Sequence, residues 1–143
     1  MAQVLIVDDD ETIRETLRDI VQEDGHEALE APDGAAALEA LRSHRKPLIV
    51  LLDNVMPGLE GMTVLETIAA DPELRDRHSY LLITASPQRL SDSERAMLET
   101  LDVPVIGKPF DLETLSQQFA AAQAQLAAAV GAETGDATPP RAS

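Results

Sequence analysis

The stretch Leu48–Gly58, LIVLLDNVMPG, constrains the fold more than any other. Five apolar residues run without a polar break to Asp53, and Pro57-Gly58 follows shortly after. A strand with one face in water alternates apolar and polar side chains, so an unbroken run reads as a strand buried on both faces. That is the signature of a parallel sheet held between two layers of helices. The acid at the end of the run gains nothing from burial, so its position needs a separate reason.

The rest of the chain repeats the pattern. Val4–Val7 is a short run with the β-branched content of a buried strand, and Ile13, Leu17, Ile20 and Val21 then recur at helical spacing after a cap at Asp10 or Thr12. Glu27–Ala31 reads as a weak strand and Ala35–Leu41 as a short helix. After Leu48–Asp53, Val64, Leu65 and Ile68 predict a helix ending near Asp71-Pro72, with Gly61 supplying backbone freedom in the loop before it. Tyr80–Thr84 is a fourth strand, and Ser91–Glu94 is a capping-box pattern before another helix. Val103–Pro109 is a fifth strand, and a last helix opens with DLETL.

Five strands alternating with five helices predict an α/β fold with a doubly wound parallel sheet, commonly in the order 2-1-3-4-5. Pro104 cannot donate to a ladder, so the fifth strand should be an edge. Residues 131–143, GAETGDATPPRAS, lack periodicity and read as a disordered tail behind a single domain of residues 1–130.

Composition narrows the partners. The 26 Asp and Glu outnumber 11 Lys and Arg, giving a net charge of −15. Such a surface repels phosphate backbones and anionic lipid, so direct binding to nucleic acid or membrane is not expected, whereas divalent cations are attracted. Apolar residues make up 44% and aromatic ones 2%, which predicts an aliphatic core. There is no cysteine. The N-terminal MAQVLIVDDD lacks the basic region of a signal peptide and no apolar run spans a bilayer, so a cytoplasmic location is the expectation.

Ligands of an open α/β sheet bind beyond the carboxyl ends of the strands, where strand order reverses. The first strand ends in Asp8-Asp9-Asp10, the third in Asp53, the fourth in Thr84 and the fifth in Lys108-Pro109. Each has an ordinary reading alone: acids favour a helix N-terminus, and a lone Asp after a strand is usually a turn residue. Together on one rim they predict a site. Three carboxylates brought close repel one another unless a cation sits among them, and Mg²⁺ suits oxygen ligands while keeping waters for a substrate.

The pieces VLIVDDDE, LLDNVMPGLEG, LLITAS and GKPF, in this order and spacing, resemble the response-regulator receiver domains of two-component signalling, a CheY-like, flavodoxin-like family. The resemblance runs from about Gln3 to Val130, and 2-1-3-4-5 is that family's strand order, so the two expectations are not independent. It implies that Asp53 is the phospho-acceptor. It implies Mg²⁺ held by Asp8, Asp9, Asp53 and the backbone carbonyl of Val55, with Asp9 the direct ligand of the first pair and Asp8 acting partly through water. Thr84 and Lys108 would each meet a phosphoryl oxygen, and Lys108-Pro109 would be cis. Asp53 would then end a rigid strand because a nucleophile must be held still and in line. The implied partners are a histidine kinase or phosphotransfer protein and a downstream protein that docks on the last two helices and the fifth strand. On this reading the chain is a stand-alone switch, no enzyme beyond its own phosphotransfer and dephosphorylation.

Departures from the family pattern are visible. Val105 occupies the strand-five position where many members carry an aromatic, and Tyr80, at the far end of its strand, cannot replace it. Glu60 stands where Asp is more usual, and Val55 and Ser86 hold positions that tune phosphate lifetime in the family. Pro57-Gly58 suits the centre of a type II turn. In the last helix Leu112, Leu115, Phe119, Ala122, Leu126 and Ala129 follow coiled-coil spacing. The expectation is that Leu112, Leu115 and Phe119 pack on the sheet and the rest is an alanine-rich extension, with a weak homodimer through this helix as the alternative to a monomer. His26, His44 and His78 show no metal-ligand spacing and are expected at the surface.

Two other functions are open. VLIVDDDETI also resembles the first motif of haloacid-dehalogenase phosphatases, making Asp8 the nucleophile and Asp10 the acid/base, with Lys108 in a later motif. That class needs a further acidic pair on a strand after the lysine, where this sequence offers only a helix and a polar stretch, and it leaves Asp53 unexplained. The other is a receiver-shaped scaffold that takes no phosphate.

Overall fold

The computed structural model describes residues 2–53, 61–84, 87–107 and 112–134. Its elements are β1 (Gln3–Val7), α1 (Glu11–Glu23), β2 (Glu27–Ala31), α2 (Gly34–Ser43), β3 (Ile49–Asp53), α3 (Gly61–Ala69), α4 (Pro72–Arg77), β4 (Ser79–Thr84), α5 (Asp92–Leu101), β5 (Val105–Gly107) and α6 (Leu112–Thr134), with a 3₁₀ turn at Pro87–Arg89. The strands form one parallel sheet in the order β2-β1-β3-β4-β5.

The unbroken apolar runs are explained by two cores, one on each face. Leu5, Val7, Val50, Leu52 and Leu82 point toward Leu38, Leu41, Leu65, Ile68 and Leu98 of α2, α3 and α5. The alternate residues Val4, Ile6, Ile49, Leu51, Ile83 and Ile106 face Leu17, Val21, Leu115 and Phe119 of α1 and α6. Every central strand residue therefore meets a helix layer, and no polar face is needed. Among the described residues the apolar core is aliphatic except for Phe119 and Tyr80.

Local signals placed most boundaries. The Asp10 carboxylate caps α1 by accepting from the N–H groups of Thr12 and Ile13. Ser91 and Glu94 form the expected capping box at α5. The β5 strand is an edge, but Pro104 lies just before it rather than inside it, its carbonyl accepting from Leu82 N–H at 3.0 Å.

Several details differ from expectation. Six α-helices are described rather than five, because α3 ends at Ala69 and the chain starts a new helix at Asp71-Pro72. Asp71 accepts from Glu73 and Leu74 N–H, and Pro72 takes a first-turn position where its missing N–H costs nothing. The same dipeptide that stops one helix starts the next. Gly61 opens α3 rather than lying in the loop. The α6 helix runs to Thr134, four residues into the segment expected as tail; a nucleated alanine-rich helix propagates at little cost per residue. Neither His78 nor His26 is at the surface: His78 is 4% exposed just before β4, and the His26 side chain, 7% exposed, accepts from Ala2 N–H and meets Phe119 edge-on.

The seam of α6 is used within the chain. Leu115, Phe119 and Ala122 are buried against the sheet and Leu126 is half-buried beside them. Ser116 Oγ donates to Asp24 Oδ1 at 2.7 Å, and Gln125 bridges Ser79 Oγ and the Asp102 carboxylate. No described helix is long and apolar enough to cross a membrane.

Candidate functional site

The carboxyl ends of β1, β3 and β4 lie side by side. Val7 is in register with Leu52, and Asp53 with Ile83, so Asp8, Asp53 and Thr84 end three neighbouring strands. All three are buried: Asp8 is 2%, Asp53 8% and Thr84 5% exposed. Asp8 extends the sheet by one rung, its N–H donating to the Ala31 carbonyl at 3.2 Å. Asp9 follows on the exposed side of the turn.

One carboxylate oxygen from each of Asp8, Asp9 and Asp53 lies within 4.8 Å of the others. Residues 45 positions apart in the chain thus place three negative groups in one small volume, two of them buried. In that setting like charges raise each other's energy, and a hard divalent cation with oxygen ligands relieves it. The donor set is all oxygen, with no nitrogen or sulfur, which fits Mg²⁺ rather than a softer metal.

Asp10 does not join this group. Its N–H donates to Asp8 Oδ1 at 2.9 Å, while its own carboxylate is engaged at the α1 N-terminus. The structure therefore divides the Asp8-Asp9-Asp10 run: two acids face Asp53 and the third caps a helix. A phosphatase reading needs Asp10 as acid/base, whereas one oxygen of that carboxylate is engaged at the helix N-terminus.

Gly107, the last residue of β5, pairs with Thr84. A Cβ at Gly107 would sit 3.3 Å from Pro87 Cγ, so glycine permits the close approach of β5 to the turn after β4. The expected contributions of Lys108, Pro109, Val55, Pro57, Gly58, Glu60 and Ser86 lie outside the described residues.

One participant was not anticipated. Arg14, in the first turns of α1, donates from Nη1 to the Asp8 carbonyl at 2.7 Å. Its Nε lies 3.3 Å from Glu30 Oε1 on β2, and Arg18 Nη1 lies 3.2 Å from Glu30 Oε2. A cation about one turn after the acid run was the available signal, but its partner Glu30 is visible only once β2 lies beside β1.

Comparison with known proteins agrees with this geometry. Residues 4–120 match the response regulator receiver domain family. The transcriptional regulatory protein CseB of Streptomyces avermitilis is 36% identical over 108 residues, covering 76% of this chain and 43% of its own. The chain thus spans less than half the length of that relative. Protein PilH of Pseudomonas aeruginosa is 33% identical over 115 residues, covering 80% of this chain and 92% of its own. Among solved structures, the response regulator TrrA of Thermotoga maritima, in complex with Mg²⁺ and BeF, superposes with a TM-score of 0.73 at 30% identity. That match covers 85% of this chain and 99% of the other. A CheY-like receiver from Methanospirillum hungatei gives 0.72 at 26% identity, covering 91% of this chain and 98% of the other. A five-stranded 2-1-3-4-5 sheet with an acidic cluster at the ends of β1 and β3, matched along most of its length, belongs to the response regulator receiver domain family of two-component systems.

Proposed function

We propose that this receiver takes a phosphoryl group on Asp53 from a phosphohistidine of a kinase or phosphotransfer protein, and that the modified state changes its affinity for a downstream protein. The observation that carries this is the convergence of the Asp8, Asp9 and Asp53 carboxylates within 4.8 Å. An Asp53 oxygen attacks phosphorus in line as the bond to the donor imidazole breaks, leaving an aspartyl-phosphate. Burial at the end of β3 holds the attacking carboxylate still, so little orientation is lost on the way to the transition state. Asp8, Asp9, Asp53 and the Val55 carbonyl would hold Mg²⁺. When bound, the metal neutralises charge on the transferring group. The Thr84 hydroxyl, buried one rung along at the end of β4, donates to one phosphoryl oxygen, and Lys108 pairs with another. Support for the metal comes from the oxygen-only donor set and from the Mg²⁺–BeF complex of the related TrrA.

The downstream partner would dock where α5, β5 and α6 meet. Val105 is 37% exposed there and borders a cavity of about 390 Å³ between β5 and α5, walled by Leu90, Leu98, Val103 and Pro104. A switched state acts on that partner only through contacts that differ between the two forms. The reading places the protein in the cytoplasm with its kinase, as a signalling domain rather than an enzyme with turnover.

Incubation with Mg²⁺ and a small phosphodonor, followed by intact mass measurement, tests this. Wild type should gain one phosphoryl group, stable in acid and lost in alkali; Asp53→Asn should gain none, and Asp8→Asn little. Steady donor hydrolysis that survives Asp53→Asn and is lost with Asp8→Asn would instead support the phosphatase reading. No adduct under any condition would leave a phosphate-free scaffold.

A further inference from the structure

Among the three clustered acids, Asp9 is the exposed one, and its side chain makes no hydrogen bond or ion pair among the described residues. The direction in which that side chain leaves the main chain is set by the backbone that carries it. That backbone is held at the preceding peptide: Asp8 O accepts from Arg14 Nη1 at 2.7 Å, while Asp8 Oδ1 accepts from Asp10 N–H at 2.9 Å. The Asp8 carbonyl belongs to the Asp8–Asp9 peptide plane, so anchoring the oxygen fixes the orientation from which the Asp9 side chain departs.

Arg14 is itself immobilised. Its side chain is 15% exposed, and its Nε pairs with Glu30, which Arg18 holds from the other oxygen. Glu30 is in register with Ile6 on the adjacent strand, so the tether starts from the sheet itself. A rigid guanidinium can serve both ends at once, which a lysine ammonium on a flexible stem cannot.

We infer that Arg14 is a positioning residue for the metal site, fixing the Asp8–Asp9 peptide so that the Asp9 carboxylate faces Asp8 and Asp53. This rests on the magnesium reading above. Charge and orientation make opposite demands here, which makes the role separable. A guanidinium beside the site repels a divalent cation, so charge alone requires Arg14→Met to bind Mg²⁺ more tightly. Loss of orientation requires it to bind more weakly, by roughly tenfold if Arg14 acts as an ordinary outer partner of a ligand.

The test is a Mg²⁺ titration by calorimetry, with the Asp9 amide followed by NMR and the urea midpoint measured in EDTA. Expected results are about tenfold weaker binding for Arg14→Met and no better for Arg14→Lys, which keeps the repulsion and loses the fork. The Asp9 amide should shift in both variants before metal is added. Arg18→Met, which touches Glu30 but not Asp8, should stay within about twofold of wild type. If Arg14→Met does not fold, Arg14→Lys alone decides: it keeps the positive charge, so weaker binding in it reports lost orientation and wild-type affinity overturns the inference. Unchanged or tighter binding in a folded Arg14→Met protein, or wild-type affinity in Arg14→Lys, overturns the inference. A wild type that binds no Mg²⁺ overturns the underlying metal reading and this inference with it.

Discussion

The main-chain N–H of Leu48 donates to Nδ1 of His78 at 2.9 Å. The other ring nitrogen lies 3.2 Å from the Leu41 carbonyl oxygen, so it carries the proton and the ring is neutral. One side chain thus closes the end of α2 and the start of β3 against β4. Burial pushes the pKa of His78 down from 6.5 to about 4, helped by the neighbouring Arg77 and His44 and opposed by the Leu41 hydrogen bond.

This makes stability sensitive to acid in a defined window. Unfolded, the ring protonates as pH falls below 6.5, whereas in the fold it resists until about 4. Between these values the unfolded state binds more protons, so stability falls as pH falls, by up to about 3 kcal/mol from this group at the lower end. Above the window it contributes no pH dependence. Urea melts of His78→Asn, which keeps an acceptor near Nδ1, should show a shallower decline between pH ~6.5 and ~4.5 than wild type. Equal slopes would show that other groups set the acid limit.

Tyr80 secures the added helix. Its hydroxyl donates to the Leu74 carbonyl at 2.7 Å, and burial, reinforced by Asp71, pushes its pKa up and keeps it a donor. Tyr80→Phe should lose about 1–2 kcal/mol in thermal or urea melts. Phosphoryl uptake should be unchanged, because Tyr80 sits at the opposite end of β4 from Thr84.

Asp10→Ala separates the cap from the site. Removing the two cap contacts should destabilise the fold by about 1 kcal/mol. The alkali-labile adduct on intact mass should persist. Loss of all phosphoryl chemistry in a folded Asp10→Ala protein would restore Asp10 to a chemical role.

Asp9→Asn should act with opposite sign in the two metal conditions. In EDTA it relieves repulsion within the acidic cluster and should leave the melting temperature equal or higher. With Mg²⁺ present, wild type should gain stability by mass action and the variant should gain much less. A variant that gains as much as wild type would remove Asp9 from the ligand set.

The α6 seam should not dimerise. Leu115, Phe119 and Ala122 already face the chain's own sheet, so sedimentation should give a mass independent of concentration. Phe119→Ala should cost about 3–5 kcal/mol through the cavity it leaves. A mass that rises with concentration and is restored to monomer by Leu126→Glu would reveal a second use of this helix.

Local pattern carried a great deal of this structure. Continuous apolar runs at Val4–Val7 and Leu48–Asp53 can only be satisfied between two helix layers, and acids at their ends fall on one rim once the strands are parallel. The rim that gathers Asp8, Asp9 and Asp53 is therefore legible, whereas the 2-1-3-4-5 order is the one the family resemblance implies, and β5 is an edge although Pro104 lies before it rather than inside it. At Asp71-Pro72 the sequence shows a helix stop but hides the helix start, because the same two residues serve both. The burial of His78 is not legible in the sequence, because the two backbone partners that make it tolerable, Leu48 N–H and the Leu41 carbonyl, come from distant segments.

The amino-acid order alone settled which segments become strands, since that depends on the period of apolar residues over a few positions. It also settled which side chains stand at strand ends. The fold decided how several of those side chains are used: Asp9 faces Asp53 of β3, and Arg14, bonded to the Asp8 carbonyl, is steadied by Glu30 of β2. Those outcomes depend on hydrogen bonds and charges brought together from separate strands, and such distances do not exist until the sheet has formed.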